Sequence, residues 1–116
     1  MVDQRVLVPP AVHQQTVSTT TLISMIFGAQ ASLMKAMFTC ESGLRQFNDD
    51  GSLLVSRTED LGIAQINLIW WDKAAELGYD ITTLYGNLMF AKYILDTQGL
   101  GAWSCAPKVV HNYPKL

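Results

Sequence analysis

Apolar residues recur at helical spacing in four stretches of the chain, and the pattern between them changes character. In the first, Leu22, Ile23, Ile26 and Phe27 share one face, preceded by the N-cap oxygens of Thr19, Thr20 and Thr21 and followed by a stop at Gly28. A second helix is expected over residues 31–40. Its apolar stripe holds Met34, Met37 and Phe38, and Glu41 falls on the same stripe at the end of the helix. A third runs over residues 68–77 to Gly78, with Asn67 available as its cap. There Trp70 aligns with Ala74 and Leu77, and Trp71 with Ala75, so at least one tryptophan is expected to be buried. The fourth, residues 83–98, starts after Asp80 or Thr82 and carries Leu84, Leu88, Ala91 and Leu95 in one row, widened by Met89, Phe90, Tyr93 and Ile94. A helix with so little polar surface belongs at the centre of a domain.

Residues 43–62 break the helical pattern. Asp50-Gly51 is a turn signal with short β-prone stretches on either side, which predicts a small hairpin or β-like loop, followed by GIAQIN at 62–67. Residues 1–18, with Pro9, Pro10, Gln14 and Gln15, carry no sustained pattern and read as an arm; residues 107–116 read as a tail. The expectation is one domain over residues 19–106, mainly α, compact, with a small β-hairpin-like element beside the helices.

Composition narrows the functions. A chain of 116 residues, 49% hydrophobic, is long enough for one core. Lys and Arg number 8 against 10 Asp and Glu, a formal net charge of -2, with no basic run, so nothing points to nucleic acid. The most apolar stretch, residues 22–38, is interrupted by Ser24, Gly28, Gln30, Ser32 and Lys35 and reads as two packed helices, with no membrane span expected. The start of the chain lacks the basic stretch and apolar run of a secretory signal. Taken alone, Cys40 and Cys105 read as two small buried thiols and settle no compartment.

The candidate chemistry is that of carboxylates. His13 and His111 lie near opposite ends with no ligand-like spacing, so no metal site and no cofactor is expected, and neither cysteine has a histidine placed to activate it. Glu41 stands out because a carboxyl group on an apolar stripe is partly withdrawn from water, which disfavours its charged form and suits a general acid. Asp49, Asp50, Glu59 and Asp60 follow in the loop expected to fold back over it, which leaves open a glycosidase-like pair of Glu41 with Asp50 or Asp60.

Several segments together carry a family resemblance. CESGLRQFNDDGSLL at 40–54, DLGIAQIN at 60–67, the tryptophan-bearing helix, ELGYDI at 76–81, the helix with Asn87 and QGLGAWSC at 98–105 follow one another in order. In this the chain resembles the lysozyme-like domain of bacterial lytic transglycosylases over residues 22–105, and QGLGAWSC after CESG is similar to resuscitation-promoting factors, which share that fold. The resemblance implies that Glu41 is the catalytic acid for the β-1,4 bond between N-acetylmuramic acid and N-acetylglucosamine, that Ser42 hydrogen-bonds the acid, and that Gln65 and Asn67 line the sugar cleft. The frequent tyrosine-asparagine motif of that family is absent. Trp103-Ser104 stands in its place, which leaves Trp103 and Tyr93 as candidates to pack over Glu41 or stack on a sugar ring.

The resemblance also implies a disulfide between Cys40 and Cys105, worth about 4 kcal/mol in the chain-entropy model, and so an oxidising compartment. The protein expected on that basis is an exported monomer of the cell envelope, periplasm or exterior, with no signal peptide in this chain and peptidoglycan glycan strands as its partner. Its enzymatic rival is a hydrolytic muramidase using Asp50 or Asp60 as the second carboxylate; its non-enzymatic rival is a glycan-binding or assembly module.

Overall fold

The computed structural model of the protein describes residues 17–111; His13, the rest of the expected arm before Val17 and the end of the tail lie outside the described residues. Helix α1 (Thr19–Phe27) has its N-cap one residue before the expected threonines, at Ser18, whose Oγ accepts the Thr21 N–H at 3.0 Å. Gly28, at φ 55°, ends it, a backbone state that costs glycine no Cβ clash. A 3-10 turn, Gly28–Gln30, leads into α2 (Ala31–Ser42), which extends two residues past the expected end and so includes Glu41. Gly43 at φ 71° closes it, its N–H donating to Thr39 O at 2.9 Å.

Residues 19–42 are long and apolar enough, by length and composition, to cross a membrane. The backbone breaks at Gly28, and each half buries one face in the protein core: Ile23 and Phe27 before the break, Met34, Met37 and Phe38 after it.

After α2 the chain makes the expected turn at Asp50-Gly51, with Gly51 at φ 90° and the Asn48 N–H donating to Ser52 O at 2.7 Å. The pairing around it is shorter than the sequence suggests: Phe47↔Leu53 and Val55↔Leu61 are isolated bridges. Leu44 and Glu59, at φ 65° and 61°, bend the chain at each end of this loop, so no ladder propagates. The regular pairing comes later: β1 (Asp60–Leu61) runs antiparallel to β2 (Ile66–Asn67), with Asp60 opposite Asn67 and Leu61 opposite Ile66.

Asn67 caps the 3-10 turn Leu68–Trp70, accepting the Ile69 N–H at 3.2 Å, and α3 (Trp71–Glu76) follows. Neither Trp70 nor Trp71 is fully buried, contrary to the two-stripe expectation, because each has work at a surface. Trp70 packs edge-to-face with Phe90 and stays half-buried, and the Trp71 indole N–H donates to Ile66 O at 2.9 Å. Thr83 caps α4 (Leu84–Gln98), the central helix, whose Leu88, Phe90, Ala91, Ile94 and Leu95 are buried. A 3-10 turn, Leu100–Ala102, then leads to α5 (Ala106–His111), which buries Ala106 and Val109. Residues 106–111 therefore belong to the folded body, although no periodicity marks them in the sequence. The fold is mainly α with one small two-stranded antiparallel sheet.

Candidate active site

Glu41 reaches its place because the rest of its stripe is in the core. Met34, Met37 and Phe38 have no exposed surface, Phe27 and Trp103 pack edge-on against Phe38 with centroids at 5.6 and 6.3 Å, and Glu41, one turn further, emerges half-buried. It lines a cleft of about 390 Å³. Ser104, Trp103 and Ala102 share the cleft with it, and Thr58, Asp60, Gln65, Ile66 and Asn67 bring in the segment that carries the β-ladder. Ile69, Trp70 and Ile94 add apolar surface. Among the described residues, no lysine or arginine lines it.

The Glu41 carboxylate is held by the start of the α5 segment. The Cys105 backbone N–H donates to Oε2 at 2.8 Å, and the Ser104 hydroxyl lies 3.2 Å from Oε1 and 3.1 Å from Oε2, able to donate its one proton to either. Both donors are fixed through the covalent link beside them: Cys40 and Cys105 form a disulfide with Cα atoms 6.2 Å apart. Cys40 is exposed and bonded, so the reading of two buried free thiols fails and the pairing implied by the resemblance is present.

The opposite side depends on the 61–66 turn, and its backbone groups are met largely by side chains from distant elements. Gln46 Oε1 accepts the Ile63 N–H at 2.8 Å while its Nε2 donates to Ile81 O and Thr82 O, both at 3.1 Å. Asn87, wholly buried on α4, accepts the Ala64 N–H at 3.0 Å and donates to Leu61 O at 3.0 Å and Ile81 O at 2.9 Å. The Trp103 indole N–H donates to Ala64 O at 2.9 Å. Gly62 sits between the two amides at φ 76°; a Cβ there would collide with Gln46 Oε1 and Asn87 Nδ2. No buried side-chain nitrogen or oxygen among the described residues lacks a partner.

This turn presents Gln65 at φ 52°, with Nε2 donating to Gly62 O at 2.9 Å. Asn67 serves two purposes at once: its Oδ1 caps the following turn, and its Nδ2 donates to Asp60 Oδ1 at 2.7 Å. Asp60 also accepts from the hydroxyls of Thr58 and Ser56. Burial pushes the Asp60 carboxyl up, but the hydrogen bonds from Thr58, Asn67 and Ser56 outweigh it and hold the group below its ordinary value.

Three expected site residues stand elsewhere. Ser42 is buried and does not reach Glu41: its hydroxyl lies 2.7 Å from Ile63 O and 3.0 Å from Phe38 O and accepts the Arg45 N–H, so it joins α2 to the turn. Tyr93 stacks on Phe90 at 5.4 Å and is not part of the cleft lining. Asp50 accepts the N–H and hydroxyl of Ser52 at the exposed turn and does not line the cleft; these bonds lower its carboxyl below the ordinary value. Trp103 does line the cleft, but it is buried and its N–H is already used.

Ser104, Thr58 and Ile69 line the cleft without having been singled out. Ser104 had a signal: if Cys40 and Cys105 are bridged, the residues beside them, Glu41 and Ser104, are brought face to face. Comparison of the chain with known protein families, curated proteins and solved structures finds no match. The resemblance to lytic transglycosylases therefore rests on the quoted segments alone.

Proposed function

We propose that the protein is a peptidoglycan lytic transglycosylase, with Glu41 as the single acid and base. The observation that carries this reading is a half-buried glutamate on a cleft wall, its carboxylate oriented by the Ser104 hydroxyl and the Cys105 N–H, with the uncharged hydrogen-bonding side chains of Thr58, Gln65 and Asn67 and the half-buried Trp70 in the same cleft. Such a lining suits a neutral sugar backbone.

In the reaction, Glu41 gives its proton to the glycosidic oxygen as the bond to the anomeric carbon breaks. The amide at Oε2 leaves Oε1 as the oxygen better placed to carry that proton. The carboxylate then takes the proton of the muramic acid C6 hydroxyl, whose oxygen attacks the anomeric carbon and closes a 1,6-anhydro ring. Water is not consumed, and Glu41 ends protonated again. Gln65 and Asn67 would hold sugar hydroxyl or acetamido groups. The Cys40–Cys105 disulfide is compatible with an exported, oxidising setting.

Asp60 favours one second reading, a hydrolytic muramidase. It lines the same cleft and its lowered pKa keeps it ionised at neutral pH, as a second carboxylate requires. Its two oxygens already accept three side-chain donors, which makes it a better anchor for Asn67 and Thr58 than a nucleophile. Mass spectrometry of digested purified peptidoglycan decides: 1,6-anhydro ends support the transglycosylase and reducing ends the muramidase. Glu41→Gln should lower turnover by roughly 10²–10⁴, the range of a general acid. Undiminished cleavage by that variant would refute both enzymatic readings.

A further inference from the structure

A second groove, of about 520 Å³, lies on the face of α2 turned away from its buried stripe, where Lys35, Ala36, Thr39 and Cys40 meet Lys108 and Val109 of α5. Its charge is opposite to that of the cleft. Among the described residues, the charged groups lining the cleft are Glu41 and Asp60, whereas those lining the groove are Lys35 and Lys108. The two sites are also contiguous in the chain: Cys40 lines one and Glu41 the other, so the disulfide stands at their border. Thr39 contributes no free donor, since its hydroxyl is returned to Lys35 O at 2.7 Å. The recognition chemistry on offer is thus two ammonium groups and the Ser32 hydroxyl beside the apolar surface of Ala36 and Val109.

We infer that this groove is a subsite for the carboxylate-bearing peptide stem of a glycan strand whose sugar backbone occupies the cleft. The inference rests on the function proposed above. In that substrate the sugars are neutral and the acid is on the branch: each muramic acid carries a peptide on its lactyl group, beside the bond presented to Glu41. A ligand divided in this way matches a site divided in the same way. Lys35 lies six residues before Glu41 on one helix, about 9 Å along the axis and about a third of a turn around it, so a stem that meets it crosses the disulfide border.

The test is a set of amide NMR titrations on the full chain with three probes: a muramoyl dipeptide bearing free carboxylates, the same compound fully amidated, and tetra-N-acetylchitotetraose. The acidic probe should shift the amides of Lys35, Thr39, Lys108 and Val109 and bind more tightly than its amide. Substituting Lys35→Gln and Lys108→Gln together should weaken the acidic probe roughly three- to tenfold, the scale of two exposed ion pairs, and leave chitotetraose binding unchanged. Equal affinity for acid and amide, or shifts that avoid the groove, would overturn the subsite even if chitotetraose occupies the cleft. Groove shifts with a cleft silent to chitotetraose would keep an acidic-peptide site and sink only the glycan reading.

Discussion

On one side of the cleft Glu41 rides on α2, which is held by Met34, Met37 and Phe38 in an apolar core; on the other, residues 61–66 are held by the polar ends of Ser42, Gln46, Asn87, Trp71 and Trp103. Apolar burial is non-directional and roughly proportional to area, so the helix wall is stabilised in many small, forgiving increments. Hydrogen bonds are directional, and a buried group left without its partner costs more than the bond contributes. The turn wall is consequently specified atom by atom. A catalytic acid needs a rigid support and a fixed outlook, whereas a surface that grips sugar hydroxyls needs its backbone set in one unusual course, including Gln65 at φ 52°.

The comparison can be pressed by substitution. Phe38→Ala removes a ring with no exposed surface and should cost about 3–5 kcal/mol in urea denaturation, while the amide shifts of residues 61–67 change little. Asn87→Leu keeps the branched shape of the side chain, with slightly more bulk, but strips the Ala64 N–H and Leu61 O of their partner. It should cost roughly 2–4 kcal/mol and speed hydrogen exchange at Ala64 selectively. If instead Asn87→Leu were neutral, or Phe38→Ala disordered the turn as much as the core, the two walls would not differ as described.

The smallest effect concerns acid. Because the folded-state carboxyl of Asp60 titrates below its unfolded value, its contribution is present above about pH 4 and is lost as pH falls through the folded value. Asp60→Asn should therefore flatten part of the acid limb of a stability-versus-pH curve. An unchanged limb would detach Asp60 from the support of the turn wall.

The same contrast explains what could be read from the chain. Periodicity located all four long apolar stretches, put Met34, Met37 and Phe38 inside and set Glu41 on their stripe, because helical burial repeats locally. Apart from Trp71, five residues from Ile66, the turn's side-chain supports come from 17 to 39 residues away and leave no local spacing to detect: Gln46 meets Ile63, Asn87 meets Ala64, and Trp103 meets Ala64. The place of Ser42 has no local signal for the same reason: its hydroxyl is taken by Ile63 O across 21 residues and not by its neighbour Glu41. The short final helix leaves no trace in the sequence because two buried residues, Ala106 and Val109, are too few to make a pattern.

Cys40 and Cys105 are the covalent gate of a closed ring of chain, and every residue lining the cleft, from Glu41 to Ser104, lies inside it. Mechanically that makes the site a side branch. Tension applied to the two ends of the described chain would run along α1 and α2, cross the sulfur bridge and leave through α5, bypassing both walls. A domain that grips a stretched polymer at one place while being pulled through its termini would keep its pocket unloaded, and a single peptide-bond cut within the ring would leave both halves of the pocket attached.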